Sequence, residues 1–289
     1  ISVKQEGLVS SHLHQKVGVG TLLHARSPVG AFVLEPSSRR PLVLLAAGVG
    51  ITPLLAMLRE ALAQQARGEP ARHLYLFQSA RRLADLAFRE ELDELVRRGA
   101  GYVHVQRLLS QPESEAVPGS QFDQAGRLSI EHLKRALPFD DYDFYLCGPG
   151  GFTQALYDGL RALRIADDRL HAETFGPSTL RRSAPVQDNA PAQPPAATAP
   201  VAVVFSRSAK EARWTPPGGS LLELAESRGL NPEFSCRGGS CGTCSTRILS
   251  GAVHYPNPPA ELPEADHALI CCAVPAEQGD NPTPLVLDL

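Results

Sequence analysis

The sequence predicts an α/β protein with a parallel sheet, followed by a smaller α+β domain at the C-terminal end. Two observations predict the first part: strand-like apolar runs alternate with amphipathic helical runs over residues 41–179, and two of the strand-like runs end in glycine. A cluster of closely spaced cysteines in the last quarter of the chain predicts the second part. With 289 residues, the chain is long enough for two such domains.

Residues 1–40 contain three short segments that we interpret as antiparallel strands separated by glycine turns. They are ISVKQE, GTLLHARSP and GAFVLEP. Three such strands are too few to close a barrel or to hold a core alone. We therefore expect residues 1–40 to be the end of a larger antiparallel domain.

Residues 41–179 show the alternation that predicts a parallel sheet with crossover helices. The strand-like runs are PLVLLAAG, HLYLFQSA, YVHVQRLLS and DYDFYLCG, and the helix-like runs are ITPLLAMLREALAQQA, AFREELDELVRR, IEHLKRAL and FTQALYDGLRAL. Ligands of such sheets bind at the carboxyl ends of the strands. Residues that directly follow each strand are therefore the first candidates for a binding site.

Residues 180–200 predict an extended linker. The stretch RRSAPVQDNAPAQPPAATAP is dominated by alanine and proline and has no apolar period, so it cannot bury itself. Beyond it, residues 201–289 contain the strand-like VAVVFSR and PLVLDL, the helix-like SLLELAESRG and the expected hairpin TRILSGAVHY. We predict a small α+β domain built around the cysteines, and a linker that lets this domain move.

Composition and charge exclude two classes of partner. The formal net charge of -3 is spread over mixed signs, without the basic stripe that binds a nucleic-acid backbone. The sequence lacks a run of about 18 apolar residues that would cross a membrane, and its first twenty residues do not match a signal peptide. We therefore expect no nucleic acid, no membrane and a cytoplasmic location.

Two glycine-bearing strand ends predict a dinucleotide site. In LVLLAAGVGITPLLAML, Gly48 and Gly50 lie between a buried strand and a helix, where a pyrophosphate can approach backbone N–H groups. Alone, this pattern is equally typical of a plain strand-to-helix turn. In FYLCGPGGFTQAL a second strand ends at Cys147, Gly148 and Pro149 and again runs into a helix, so the two ends can frame one ligand.

The coenzyme preference of such a site is decided after the second strand, where a carboxylate favours the ribose 2′-OH and cationic or hydroxyl groups favour a 2′-phosphate. Here the sequence is QSARRLADLAF, and Ser79, Arg81 and Arg82 are candidates for holding the phosphate. An arginine pair at a helix start is also typical of a solvated surface, so NADH and NADPH both stay open. We interpret His104 and His132 as structural residues.

Cysteine spacing predicts a metal site in the C-terminal domain. Cys236, Cys241 and Cys244 form C-x4-C-x2-C, which matches the plant-type arrangement of thiolate ligands around a [2Fe–2S] cluster. The glycines of FSCRGGSCGTCSTR let the loop wrap the cluster and point N–H groups at its sulfurs. Zinc is the competing metal, but it prefers paired C-x2-C knuckles, and this region has one such pair.

The fourth thiolate has two adjacent candidates, Cys271 and Cys272, in ALICCAVPA. Their spacing from the loop does not choose between them. Arg237 lies inside the loop, where it either assists the cluster or is a solvated side chain.

In this order, the motifs resemble those of the ferredoxin–NADP reductase superfamily, and more closely its oxygenase-reductase members with a C-terminal ferredoxin domain. The resemblance covers nearly the whole chain. It implies a Rossmann-like nucleotide domain at 41–179, a β-grasp ferredoxin domain at 201–289, and the C-terminal remnant of a flavin-binding antiparallel β-barrel at 1–40. It also implies an NAD(P)H:acceptor oxidoreductase.

The resemblance assigns roles to the residues of each motif. The family's dinucleotide-binding G-x-G-x-T-P corresponds to Gly48, Val49, Gly50, Ile51, Thr52 and Pro53. The family's C-G-P, which lies where hydride passes from nicotinamide to flavin, corresponds to Cys147, Gly148 and Pro149. The aromatic segment near the flavin ring resembles HAETFGP, with Glu173 and Phe175. The family pattern L-x-C-x-A-x-P selects Cys271 as the fourth ligand and leaves Cys272 as a buried thiol.

The flavin site that the resemblance implies is only partly present. The family's phosphate-binding G-x-x-S segment resembles GLVSS, with Gly7, Val9, Ser10 and Ser11. The R-x-Y-S-type motif that holds the flavin ring would lie upstream of Ile1, so we expect an N-terminally truncated sequence that binds flavin weakly or not at all. The resemblance favours FAD and does not exclude FMN.

The predicted function is electron transfer from NAD(P)H through a flavin to a [2Fe–2S] cluster, and on to a partner such as an oxygenase or a fused upstream domain. A flavin-less [2Fe–2S] electron carrier with a vestigial nucleotide domain is the alternative. We assign Cys147 to nicotinamide positioning and not to nucleophilic catalysis, because the cofactors carry the chemistry in such proteins.

Overall fold

The computed structural model describes residues 2–5, 7–25, 30–35, 37–174, 180–182, 193–239, 241–259, 262–277 and 283–289. The chain forms two compact units. Unit 1 consists of Ile1–Pro28 and Val33–Thr174, and unit 2 consists of Val29–Phe32 and Phe175–Leu289. Each unit has a sheet of its own.

Residues 1–40 differ from the strand prediction. The described part of this stretch holds one helix, α1 (Leu8–Lys16), and no strand. A strand is stable only when it pairs with a neighbour, and the three strand-like segments do not pair within the described chain. The helix begins at Gly7, whose N–H donates to Ser10 Oγ at 2.8 Å. The antiparallel strands predicted here are therefore wrong for the described residues.

Unit 1 is organised around a six-stranded parallel sheet. Its strands are β1 (Leu42–Ala47), β2 (Leu74–Ala80), β3 (Val103–Leu109), β4 (Gln124–Ala125), β5 (Asp143–Cys147) and β6 (Leu170–Glu173). The connecting helices are α2 (Ile51–Ala66), α3 (Arg89–Arg98), α4 (Ile130–Ala136) and α5 (Gly150–Ala162). The strand order is β4-β3-β2-β1-β5-β6, with every pair parallel. Because parallel strands need long crossovers, the alternation in the sequence predicted this sheet correctly.

The sheet changes its direction of growth between β1 and β5. From β1 the chain moves outward through β2, β3 and β4, and it then returns to place β5 on the other side of β1. Leu42 pairs with Leu74 of β2 and with Asp143 of β5, and β1 is fully buried from Leu42 to Ala46. Ligands of open parallel sheets bind outside the carboxyl ends of the strands at such a switch point.

Unit 2 is a small α+β unit with a mixed five-stranded sheet. Its elements are β7 (Val201–Phe205), β8 (Lys210–Trp214), α6 (Leu221–Ser227), β9 (Ser245–Ser250), β10 (Val253–His254), β11 (His267–Leu269), β12 (Val274–Pro275) and β13 (Leu285–Leu287). The main sheet has the order β11-β9-β13-β7-β8, and β10 pairs with β12 separately. β13 runs parallel to β7, and the other pairs are antiparallel. Phe205, Trp214 and Leu221 pack in its core.

The segment TRILSGAVHY does not form the predicted hairpin. β9 and β10 flank Gly251, but β9 pairs with β11 and β13 whereas β10 pairs with β12. Because β9 already pairs with a strand on both sides, it has no free edge with which β10 could pair. Gly251 adopts a positive φ of 89° and turns the chain out of the sheet.

The C-terminal part of the predicted linker belongs to unit 2. The Ala197 N–H donates to the Pro275 carbonyl at 3.0 Å, and the Glu277 N–H donates to the Pro195 carbonyl at 2.7 Å. Ala197 is 6% exposed and packs in the core of the unit. The prediction of a free linker is therefore wrong at residues 193–200, because backbone hydrogen bonds to β12 hold a segment that has no apolar period. Residues 183–192 lie outside the described residues.

Short strands are the elements that sequence analysis missed. They are β4, β6, β8, β11 and β12, which have two to five residues each. Such lengths are too short for a readable period. Among the described residues, no helix has the length and apolarity needed to cross a membrane.

Candidate cofactor sites

The carboxyl ends of β1 and β5 meet at Gly50 and Cys147. A Cβ atom added at Gly50 would lie 2.1 Å from the Cys147 carbonyl oxygen and 2.7 Å from the Gly148 nitrogen. Only a residue without a side chain lets the two chain segments approach so closely. The two glycine-bearing strand ends singled out in the sequence thus form one sheet edge.

The start of α2 supplies N–H groups to this edge. The residues between β1 and α2 form a single 3₁₀ turn with Gly48 at a φ of 55°, and α2 begins at Ile51. N–H groups of the first helical turn have no partner within the helix and can bind an anion. Thr52 Oγ1 donates to the Val49 carbonyl at 3.0 Å and holds the turn. Pro53 lies in the first turn, where its missing N–H costs no helical hydrogen bond.

Gly148 packs closely against β1. A Cβ atom added there would lie 2.9 Å from Ala47 Cβ and 2.8 Å from Phe152 Cδ1. α5 begins at Gly150, with Pro149 as its N-cap. Because α2 and α5 both follow a strand that ends at this edge, their N-termini flank the same site, and this arrangement fits a pyrophosphate.

Cys147 is a fully buried thiol. Its exposure is 0%, and it lies opposite Glu173 in the β5–β6 register. Burial, with a smaller contribution from the Glu173 carboxylate, raises the pKa of Cys147 to about 12. A thiol with this pKa stays neutral at physiological pH and is a poor nucleophile. This fits the predicted positioning role.

We expect Cys147 to resist alkylation in the folded chain at about pH 8. With a pKa of about 12, roughly one thiol in 10⁴ is ionised at that pH. Iodoacetamide treatment followed by mass spectrometry of the Cys147 peptide measures the reactivity. The urea-unfolded chain, in which the thiol regains its ordinary pKa, is the control, and equal labelling in both states would contradict the expectation.

The remaining nucleotide-site candidates lie around the end of β2. Ser79 pairs with Ala47 at the carboxyl end of β2, so it belongs to the same edge, and Arg81 is exposed two residues later. The Asp85 carboxylate accepts the Arg82 N–H at 3.1 Å in the following loop. A carboxylate and guanidinium groups thus occur in one loop, and the geometry does not choose between NADH and NADPH.

Phe175, which was predicted to lie near the flavin ring, lies outside the described residues.

The predicted flavin-phosphate segment is the first turn of α1. Its residues are Gly7, Val9, Ser10 and Ser11. Ser10 Oγ donates to the Gly7 carbonyl at 3.1 Å, and Val9 is 73% exposed. A helix N-terminus with hydroxyl groups fits a phosphate. The sequence contains no R-x-Y-S motif for the flavin ring, so the residues present fit only the phosphate end.

Three of the predicted thiols lie in the irregular loop between α6 and β9. The Cys236 N–H donates to Cys241 Sγ, and the Gly238 N–H donates to Cys236 Sγ, each at 3.4 Å. Gly239 and Gly242 both adopt a φ of 73°, which curls the loop. Backbone N–H groups directed at sulfur stabilise negative charge on a thiolate-bound centre.

Strand pairing brings Cys271 to this loop. β9 begins directly after Cys244 and β11 ends two residues before Cys271, and these strands pair with Ser245 opposite Leu269. The Ile270 N–H donates to the Cys244 carbonyl at 3.4 Å. The cysteine that is far away in sequence is therefore adjacent to the loop in space.

The thiols are hydrogen-bonded to one another. A hydrogen bond from Cys236 lowers the pKa of Cys271, and a hydrogen bond from Cys271 lowers the pKa of Cys244. Cys241 joins the set through the Cys236 N–H. The thiolate is the metal-binding form of cysteine, so the set Cys236, Cys241, Cys244 and Cys271 fits a thiolate-held cluster.

Two residues near the loop differ from their predicted roles. Cys272 is half-buried, not buried, and its S–H donates to the Leu269 carbonyl at 3.5 Å. Arg237 makes a two-point ion pair with Glu226 of α6 and lies 3.9 Å above the Phe234 ring. Arg237 thus ties the loop to α6, a role that the sequence analysis did not assign to it.

Sequence analysis missed the groups that hold the turn carrying Cys271. The Leu221 and Leu222 N–H groups at the start of α6 donate to the Ala273 and Ile270 carbonyls at 3.0 and 2.8 Å. The Tyr255 hydroxyl accepts the Leu269 N–H at 3.1 Å. Their partners are far apart in the sequence, so no local pattern marks them.

Comparison with known families matches both parts of the chain. The model of the oxidoreductase NAD-binding domain matches residues 44–158, and the model of the 2Fe-2S iron-sulfur cluster binding domain matches residues 207–276. The two matches together support the ferredoxin–NADP reductase superfamily, with a C-terminal [2Fe–2S] ferredoxin domain. The second match favours the iron–sulfur cluster over zinc.

Individual relatives extend this assignment. The flavohemoprotein of Deinococcus radiodurans is 40% identical over 182 residues, which are 62% of this chain and 43% of the relative. The flavohemoprotein of Rhizobium meliloti is 35% identical over 184 residues, covering 61% and 44%. The chain therefore spans less than half the length of these curated relatives.

A solved structure is similar over almost the whole chain. The crystal structure of an intact type IV self-sufficient cytochrome P-450 monooxygenase matches with a TM-score of 0.60 and 25% identity, covering 99% of this chain and 32% of that chain. The two family models support the predicted NAD-binding domain and the predicted [2Fe–2S] cluster binding domain. The individual site residues and the domain boundaries stay predictions.

Proposed function

We propose that the chain is the electron-transfer part of an NAD(P)H-dependent flavin/iron–sulfur reductase. Electrons pass from NAD(P)H through a flavin to a [2Fe–2S] cluster and on to an acceptor. One observation carries the proposal: a glycine-framed edge at the β1–β5 switch point and a four-thiol set on a second sheet occur in one chain. The cytoplasm is part of the proposal, because thiols stay reduced there.

The nucleotide edge is proposed to bind NAD(P)H through Gly48, Gly50 and the N-terminus of α2. The first-turn N–H groups neutralise pyrophosphate charge. Cys147 and Gly148 are proposed to position the nicotinamide ring, since a neutral buried thiol and a closely packed backbone exclude water from one side of it. Glu173 supports this arrangement from the neighbouring strand.

The thiols Cys236, Cys241, Cys244 and Cys271 are proposed to hold the cluster. The N–H groups of the loop favour its reduced, more negative state. When bound, the flavin splits the hydride pair into single electrons and the cluster carries them one at a time. The segment Gly7–Ser11 is proposed to bind the flavin phosphate, with FAD favoured over FMN.

An oxygenase is the proposed acceptor. The monooxygenase structure matches 99% of this chain, and the matching region makes up 32% of the monooxygenase chain. Our proposal is that this chain supplies electrons to an oxygenase, either as a separate protein or within the same polypeptide.

The test adds NADH and NADPH separately, under anaerobic conditions, to the protein supplied with an excess of FAD or FMN, because the residues present fit only the phosphate end of the flavin. We expect about two irons per chain and bleaching of the flavin and iron–sulfur absorbance by at least one coenzyme. Samples without added flavin are the control. Zinc in place of iron, or no bleaching with either coenzyme, would contradict the proposal. A cluster that dithionite reduces and NAD(P)H never reduces would favour the flavin-less carrier.

A further inference from the structure

The turn after β11 carries one more thiol than a cluster uses. Four thiolates are the usual ligands of a [2Fe–2S] cluster, and the loop before β9 supplies three of them. Cys271 and Cys272 both follow β11, where Cys271 is buried and Cys272 is half-buried. The second thiol has no role in the proposed function so far.

The backbone turns where Cys271 and Cys272 follow β11. In a strand, neighbouring side chains point to opposite faces. After Leu269 the chain leaves β11, and the Leu269 carbonyl accepts the N–H groups of Cys272 and Ala273 at 3.1 Å each. The turn therefore does not force the two thiols onto opposite faces, as a continued strand would.

The ligand loop also contacts Cys272 directly. A Cβ atom added at Gly239 would lie 2.8 Å from Cys272 Sγ, and Gly239 has a φ of 73°. The loop therefore leaves at Gly239 the space that the Cys272 sulfur fills. This contact does not depend on the hydrogen bonds of the turn. It places the Cys272 sulfur, which belongs to the turn with the fourth thiol, against the loop that carries the other three.

Little holds the Cys272 thiol in its present position. Its S–H donates to the Leu269 carbonyl at 3.5 Å, and a thiol is a weak donor. Rotation of this side chain therefore costs one weak hydrogen bond.

We propose that Cys272 is a reserve ligand that takes the fourth position of the cluster when Cys271 does not hold it. The sulfur–iron bond of Cys272 forms as its thiol proton leaves to solvent, without any change of oxidation state. This inference rests on the proposed function, because it requires that a cluster occupies the thiols.

The experiment compares the full chain with Cys271→Ala, Cys272→Ala, the double variant and Cys241→Ala. Cys241→Ala is the matched control, because it removes a different thiol of the set and leaves both thiols of the turn in place. Iron and sulfide per chain are measured after anaerobic reconstitution, and the dithionite-reduced samples are examined by electron paramagnetic resonance. Trp214, the single tryptophan, is buried in unit 2 and reports its folding by fluorescence.

We expect Cys271→Ala to keep about half or more of the wild-type iron, with shifted g values, because one thiolate ligand is exchanged for another. Cys272→Ala keeps the wild-type iron and g values. The double variant and Cys241→Ala fall below about a tenth. Two results would overturn the inference. In the first, Cys271→Ala contains as little iron as the double variant. In the second, Cys271→Ala, Cys241→Ala and the double variant all retain iron to the same extent.

A second measurement keeps the inference falsifiable if Cys271→Ala disturbs the fold. Cys271→Ser is loaded with iron and treated with iodoacetamide, and the Cys272 peptide is analysed by mass spectrometry. Protection of Cys272 in the loaded variant, compared with the loaded wild type, supports the exchange, and equal labelling overturns it. Wild-type chain without iron contradicts the proposed function, whereas loaded wild type with an empty Cys271→Ala contradicts only the reserve ligand.

Discussion

Replacement of Gly50 by alanine is expected to destabilise unit 1 by about 3 kcal/mol or more and to weaken NAD(P)H binding at least about tenfold. The new Cβ atom would lie 2.1 Å from the oxygen and 2.4 Å from the carbon of the Cys147 carbonyl. These are backbone atoms of a buried strand and cannot rotate away. The ends of β1 and β5 must separate, and the edge that frames the coenzyme opens.

Gly151→Ala is the matched control for Gly50→Ala. Gly151 lies in α5, and a Cβ atom added there meets nothing within 4 Å. Alanine in a helix is about 0.5–1 kcal/mol more favourable than glycine, so this variant keeps or gains stability. Urea unfolding followed by far-ultraviolet circular dichroism and titration with NADH and NADPH measure both effects. Unfolding of Gly50→Ala at the wild-type urea concentration would show that the strand ends are not in contact.

Replacement of Gly239 by alanine is expected to lower the iron content to less than about half of wild type. Two costs add at this residue. A φ of 73° disfavours an L-residue by about 1–2 kcal/mol, and the Cβ atom would lie 2.8 Å from Cys272 Sγ and 3.0 Å from Pro259 Cβ. The Cys272 side chain can rotate away from its contact, but the Pro259 ring cannot, so the loop must move and the four thiols no longer converge.

Gly242→Ala separates these two costs. Gly242 has the same φ of 73°, but a Cβ atom added there meets nothing within 4 Å. It therefore carries the backbone strain alone, and we expect iron close to the wild-type content. Adding Cys272→Ala to Gly239→Ala removes one of the two contacts and should recover part of the iron. Equal iron in Gly239→Ala and Gly242→Ala, measured by iron and sulfide analysis, would mean that the contact with Cys272 is unimportant.

Both predictions concern glycines whose importance lies in a contact and not in their own conformation alone. The motif around Gly50 is visible in the sequence, but its partner is a carbonyl almost one hundred residues later in the chain. Gly239 also has a partner that lies outside its motif, Cys272, in the turn after β11. A sequence motif marks such a residue as a candidate, and the atom that it must avoid is known only from the fold.

The strand predictions failed where pairing decided the outcome. GTLLHARSP and GAFVLEP have strand-like patterns, but among the described residues they have no neighbour to pair with. TRILSGAVHY contains two strands, but both edges of β9 are occupied by β11 and β13. Gln193–Ala197 has a linker composition, yet hydrogen bonds to the segment around β12 and to the Tyr255 N–H hold it. In each case the local pattern indicated the conformational tendency of the segment, but it contained no information about the segment with which it would pair.

The sequence by itself determined the alternation of strands and helices in unit 1, the two glycine-bearing strand ends and the C-x4-C-x2-C loop. These features depend on residues close together in the chain, so their periods and spacings are readable. Only the tertiary structure decided that Gly50 meets Cys147, that β11 delivers Cys271 to Cys244, and that Cys272 fills the space left by Gly239. These contacts join residues that are distant in the chain, and strand order and register, not local propensity, bring them together.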